Sequence, residues 1–134
     1  YEEGTWTPVI NGSGGASGQA YTSQVGRYVK IGKLVFVQGY VELSNKGTIT
    51  GNVEIVGLPF TVENVANAFP PGSVYWANLA SNWVYIIAAP FPNTATLLIR
   101  GAAAAAASST STLTTTDINN NSLFNIAAVY RADA

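Results

Sequence analysis

The chain has 134 residues, of which 48% are hydrophobic and only 10% charged, with a formal net charge of −1 and no Cys, His or Met. That length fits one domain. The missing imidazole and thiol exclude Ser-His and Cys nucleophiles and argue against zinc or a disulfide framework. Six scattered cations, Arg27, Lys30, Lys33, Lys46, Arg100 and Arg131, make no basic stripe for nucleic acid, and no apolar run approaches the ~20 residues of a membrane helix. We therefore expect no cofactor, no nucleic-acid partner and no membrane insertion.

In chain order, the opening "YEEGTWTPVI" is strand-like, and "NGSGGASGQ" (residues 11–19) reads as a flexible loop. "RYVKI" and "LVFVQGYVEL" flank Gly32-Lys33. Gly at the first central position of a two-residue loop suits a type II′ turn, so residues 27–43 are predicted to form a β-hairpin with Ile31 opposite Leu34. In that register Tyr28 and Lys30 share a face with Val35, Val37, Val41 and Leu43. Val29 and Ile31 share the other with Leu34, Phe36 and Tyr40. A half-solvated antiparallel sheet alternates apolar and polar. Two apolar faces predict two covers, one a second sheet and one a neighbouring subunit. The low charged fraction, against roughly 25% in a typical soluble domain, agrees with a surface partly hidden by subunits, or else coated by Ser, Thr and Asn.

"GNVEIVG" is a further strand ending at "GLPF". "SVYWANL" and "WVYIIAA" are predicted to form a second hairpin around Ala80-Ser81-Asn82, and "TATLLIRG" another strand. The six alanines 102–107 have high helix propensity. They are too few for a stable isolated helix and lie between Gly101 and a Ser/Thr run, so a loop or close-packed strand is expected. "STLTTTDI" and "SLFNIAAVYRA" read as a last strand pair joined through Asn119-Asn120-Asn121, residues tolerant of left-handed backbone. Helical periodicity and fixed-period repeats are absent. The reading is all-β: an antiparallel, jelly-roll-like β-sandwich of about eight or nine strands.

"YEEGTWTP", "YTSQVGRYVKIGKLVFVQGYVEL", "TGNVEIVGLPF" and "LTTTDI…FNIAAVYRA" together resemble the C-terminal β-sandwich domain of bacteriophage tail fibres and tailspikes. In that family an E-G-T-W-T-P opening precedes a Y-x-[RK]-I-G-x-L-V hairpin. A G-L-P-F turn follows, and the chain closes on a strand carrying a Tyr. The matching positions here are residues 3–8, 28–35 and 57–60, and Tyr130. The likeness fades between residues 64 and 110, and the alanine run departs from it. The resemblance implies a homotrimer at the distal tip of a virion fibre, joined to the rest of the shaft, attaching to the host surface. We accordingly expect residues 1–134 to be cut or processed from a longer chain.

Catalysis has one candidate. Glycoside hydrolysis needs only two carboxylates about 5 to 9.5 Å apart, and Glu42 and Glu54 lie on strands that could pair. The bland reading of both is a solvent-facing strand residue, and in tailspikes that degrade polysaccharide the activity belongs to another domain, so no catalytic residue is assigned. Sugar binding asks for flat aromatic faces beside amides and hydroxyls. "YWANLASNWVY" offers them, and Tyr75, Trp76, Asn78, Ser81 and Asn82 are the candidate ligand-binding residues for a host cell-surface polysaccharide. Trp83 and Tyr85 share a strand face and are expected in core or subunit interface, and Trp6 is expected to be packed. Arg27, Lys30 and Lys33 could meet an anionic glycan, or be solvated, or pair with Glu42 across the hairpin. The competing expectations are a receptor-binding tip, a purely structural trimer cap, and a lectin-like sandwich unrelated to viruses.

Overall fold

A computed structural model describes residues 1–134 as an antiparallel all-β fold. Its strands are β1 (Glu2–Thr5), β2 (Val9–Gly12), β3 (Ala20–Ile31), β4 (Leu34–Asn45), β5 (Val53–Val56), β6 (Gly72–Leu79), β7 (Tyr85–Pro90), β8 (Thr96–Ala102), β9 (Ser111–Thr112) and β10 (Ile118–Arg131). One 3-10 turn, Thr115–Asp117, is the only helical element. No helix is long and apolar enough to cross a membrane.

The first hairpin forms as its turn chemistry dictates. Ile31 pairs with Leu34, and Gly32 takes a φ of +59°, the left-handed backbone that a type II′ turn needs at that position. Period-2 alternation then sorts the side chains. Val35, Val37, Val41 and Leu43 are buried, while Leu34, Phe36 and Gln38 are exposed.

All ten strands belong to one continuous sheet, in the order β1-β3-β4-β10-β6-β7-β8-β5-β2, with β9 appended to β8. The antiparallel all-β expectation holds, with ten strands against the eight or nine expected, all joined in a single curled sheet. The extra strands come from the opening segment, which splits at residues 6–8, and from the short β9. β1 and β2 follow one another in sequence yet hold opposite ends of the sheet. The curl brings β2 beside β3 across a seam with no backbone ladder. Side chains stitch it instead: Gln24 Nε2 donates to the Pro8 carbonyl at 2.9 Å, Gln19 Nε2 to the Ile10 carbonyl at 3.0 Å, and the Ile10 amide to the Tyr21 hydroxyl at 3.1 Å.

Inside the curl lies one apolar cluster. Val35, Val37 and Val41 of β4 and Phe124, Ile126 and Tyr130 of β10 meet Ile10 of β2, Val53 and Ile55 of β5 and Leu97 and Ile99 of β8. Burying side chains of this size is worth ~1.5–3 kcal/mol each, and it is this term that holds the two halves of the sheet against each other. Residues 57–63 cross one end of the core and bind the end of β10. The Tyr130 hydroxyl donates to the Phe60 carbonyl at 2.9 Å, the Glu63 amide to the Arg131 carbonyl at 2.8 Å, and Val62 bridges Ala132. Phe60 meets the Tyr28 ring edge-on at 5.1 Å, with Lys30 Nζ 5.2 Å from the Phe60 centroid.

Four local expectations need correction. The β6–β7 hairpin is paired only at Gly72–Ala88 and Ser73–Ile87; its strands then splay, β6 staying with β10 and β7 with β8, because the sheet turns its corner there. Trp83 consequently falls outside β7. The three asparagines do not connect two strands. They lie within β10, where residues 119–122 bulge opposite Asn78 of β6. The loop after β2 is tied down rather than free: Gly14 and Thr48 amides donate to the Thr50 and Ser17 carbonyls at 2.9 and 2.8 Å. Glu42 receives the Tyr40 hydroxyl at 2.7 Å and no cation; the single ion pair joins Arg131 to Glu63 at 3.1 Å. Ala102 ends β8 and residues 103–107 of the alanine run form an exposed loop, held at its far end by Arg100, whose guanidinium donates to Thr110 and Thr112.

Candidate functional site

The five residues singled out by sequence do not converge. Tyr75 and Trp76 are neighbours on β6 and so face opposite sides of the sheet. Tyr75 stands on the outer face, 65% exposed, and Trp76 packs against the core. Asn78 serves the bulge: it holds φ +62°, its amide donates to the Asn121 carbonyl at 3.3 Å, and its carbonyl accepts from Ser122 Oγ at 2.7 Å. Ser81 and Asn82 are exposed in the β6–β7 loop. Trp83 packs against the core with its Nε1 buried and unpartnered, whereas Tyr85 is exposed. Trp6 is buried, as expected.

The structure instead gathers Tyr75 with residues from three other strands. On the outer face of β3-β4-β10-β6 the register sets cross-strand rows. One row runs Val25, Tyr40, Asn125, Tyr75, and the next runs Arg27, Gln38, Ala127, Ser73. Directly opposed residues have Cβ atoms about 5 Å apart, so each row is a line of touching side chains. Ala127, Ser73 and the backbone at Gly39 are low, and Tyr40, Tyr75, Val25 and Arg27 rise around them. The result is an open groove of ≈560 Å³.

The floor of the groove is fixed from below. Gly26 and Gly39 pair across β3 and β4. The Trp6 indole fills the space that their missing side chains leave on the inner face: a Cβ on Gly39 would lie 2.8 Å from its ring. Its Nε1–H is shared between the carbonyls of Arg27 and Gln38. The chemistry above is polar and uncommitted. The side chains of Arg27, Gln38, Ser73, Tyr75 and Asn125 form no hydrogen bond within the chain, whereas Tyr40 is oriented by Glu42. The hydrogen bond to the Glu42 carboxylate, then desolvation, raises the Tyr40 pKa above its ordinary value.

A second region of the same face is apolar. Around the hairpin tip, Ile31 is 59% exposed, Leu34 51%, Val129 44% and Phe36 39%. Leu34 pairs with Ile31 and Phe36 with Val129, which makes the patch contiguous. The three hairpin cations do not act together: Arg27 is on this outer face, Lys30 lies on the opposite face against Phe60, and Lys33 sits in the turn.

Glu42 and Glu54 lie on strands that are not neighbours, and Glu54 accepts from Asn11 Nδ2 at 2.8 Å. No group of three or more His, Cys, Asp or Glu side chains comes together. Sequence reasoning missed Val25, Gln38, Tyr40, Ser73 and Asn125 as groove residues. The hairpin register alone places Arg27 beside Gln38 and Val25 beside Tyr40, but nothing local reveals that β10 and β6 extend those rows.

Comparison with protein-family models, with curated proteins and with solved structures finds no match to this chain.

Proposed function

We propose that this chain is a non-catalytic attachment module, the receptor-binding head of a phage tail fibre or tailspike. It acts on the virion, outside the cell, by docking on a host surface glycan. In this reading the two halves of the curled sheet serve as the layers of a jelly-roll-like sandwich, and three copies assemble around the fibre axis. The observation that carries it is the uncovered apolar patch of Ile31, Leu34, Phe36 and Val129. A contiguous exposed patch of this kind marks an interaction surface, and closed cyclic assembly of identical chains is the common way to cover one. The resemblance of residues 3–8, 28–35 and 57–60 and Tyr130 to tail-fibre tips supplies the trimer and the attachment role.

A purely structural trimer cap is the second reading. It is favoured by the packing roles of Trp76 and Asn78, which remove them from a receptor surface. Light scattering tests the assembly: the expected particle is about 42 kDa, three times the 14.0 kDa chain. A stable, well-folded monomer at high concentration overturns the trimer in both readings. Adsorption separates the two. An attachment head competes with virions for host cells, and a structural cap does not.

A further inference from the structure

We propose that the outer groove binds a carboxylate-bearing sugar, with Tyr75 as stacking platform, Arg27 as carboxylate partner, and Asn125 and Gln38 as hydroxyl readers. This rests on the reading of the chain as a glycan-attachment module and relocates its ligand site from the β6–β7 loop to the sheet face.

Tyr40 and Tyr75 flank Asn125 in one row. The strands that carry Tyr40 and Tyr75 lie two spacings apart, about 10 Å, with Asn125 between them as the surface over which a single pyranose would rest. Tyr75 offers the exposed ring face on which the apolar side of a pyranose packs. A primary amide carries two donors and an acceptor, which suits vicinal hydroxyls, and Asn125 and Gln38 each present one with no partner in the chain. Arg27 is the only charge lining the groove, and its guanidinium is in no ion pair. A planar guanidinium binds carboxylate through two parallel hydrogen bonds, so the groove is complementary to an acidic sugar rather than a neutral one. The seat is rigid: Trp6 clamps the backbone of Arg27 and Gln38 together, which limits the ordering cost of binding.

The test is an array of immobilised oligosaccharides with uronic-acid and neutral members, probed with the wild-type chain and four variants. Wild type is expected to retain uronic-acid members, less so as salt is raised. Arg27→Gln and Asn125→Ala should bind at least tenfold more weakly and Asn125→Asp should not bind, each with the assembly mass unchanged. Asn82→Ala, on the β6–β7 loop, should bind as wild type. Undiminished binding by the Arg27 and Asn125 variants, loss confined to Asn82→Ala, or retention of neutral sugars alone overturns the groove assignment while attachment stands. A wild-type chain that binds no member of the array overturns both.

Discussion

Trp6 Nε1 donates to the carbonyl of Gln38 at 3.0 Å and, across the strand pair, to that of Arg27 at 3.2 Å. One indole thus spans β3 and β4 where both carry glycine, an arrangement in which an aromatic restores the packing that a glycine pair lacks. Trp6→Ala is expected to lose ~3–5 kcal/mol of stability. Trp6→Phe keeps most of the ring but loses the shared donor and should lose ~1–2 kcal/mol. Urea denaturation of the two variants separates packing from hydrogen bonding: an undiminished Trp6→Phe would show that the bifurcated bond contributes nothing, and equal losses would show that the ring's packing does not.

The glycine pair beneath that indole should be intolerant, and unequally so. A Cβ on Gly26 would fall 2.3 Å from the Trp6 carbonyl oxygen, which is backbone and cannot move alone; on Gly39 it would meet the Trp6 ring at 2.8 Å. Overpacking costs ~1–3 kcal/mol. Gly26→Ala is expected at or above the top of that range and Gly39→Ala below it. Thermal unfolding of both variants checks the order.

Tyr130 makes stability fall in alkali. Burial pushes its phenol from 10.0 up to about 12, where its hydroxyl donates to the Phe60 carbonyl. The folded state therefore holds this proton more tightly than the unfolded chain. The contribution is full below pH 10 and is lost as pH rises toward 12, an effect of ~2–3 kcal/mol at 1.36 kcal/mol per pKa unit. Tyr21, Tyr28 and Tyr40 are also raised, so the contrast that matters is with Tyr130→Phe. Denaturation at pH 8, 10 and 11.5 should show a steeper decline for wild type than for this variant. Parallel curves would remove Tyr130 as the cause.

In the proposed trimer, charge on the apolar patch should dissolve the assembly without unfolding the chain. Leu34 and Val129 are about half exposed and lie outside the buried cluster, so Leu34→Glu and Val129→Glu should each change the stability of a single copy by no more than ~0.5 kcal/mol. The double variant is expected near 14 kDa by light scattering with unchanged circular dichroism. A particle that stays trimeric would place the subunit contact elsewhere.

The first hairpin was legible because everything that specifies it is local: a Gly in the turn, β-branched and aromatic residues, and a strict alternation that fixes both faces. The neighbours of that hairpin were not legible. β10 lies beside β4 although some eighty residues separate them in the chain, and no periodicity encodes such a partner. Asn119, Asn120 and Asn121 look like a turn because asparagine tolerates left-handed backbone, and the same tolerance serves a bulge. What decides between them is Asn78 on another strand. Trp76 reads as a binding aromatic by composition, yet its parity with Val74 puts it inside, while Tyr75 between them faces out. Parity could be counted from the sequence; which parity meets the core could not. The groove was half visible, since the hairpin register sets Arg27 against Gln38, and its other half came only with β10 and β6.

The opening dozen residues cap both free margins of the sheet, β1 shielding β3 and β2 shielding β5. An uncapped margin is a row of unpaired amides and carbonyls that can recruit a strand from another molecule. Trimming this one short stretch would bare two such rows at once. The folded chain would become a seed for polymerisation, and the same stretch, unable to pair until β3 and β5 have been synthesised, leaves the nascent polypeptide unguarded until then.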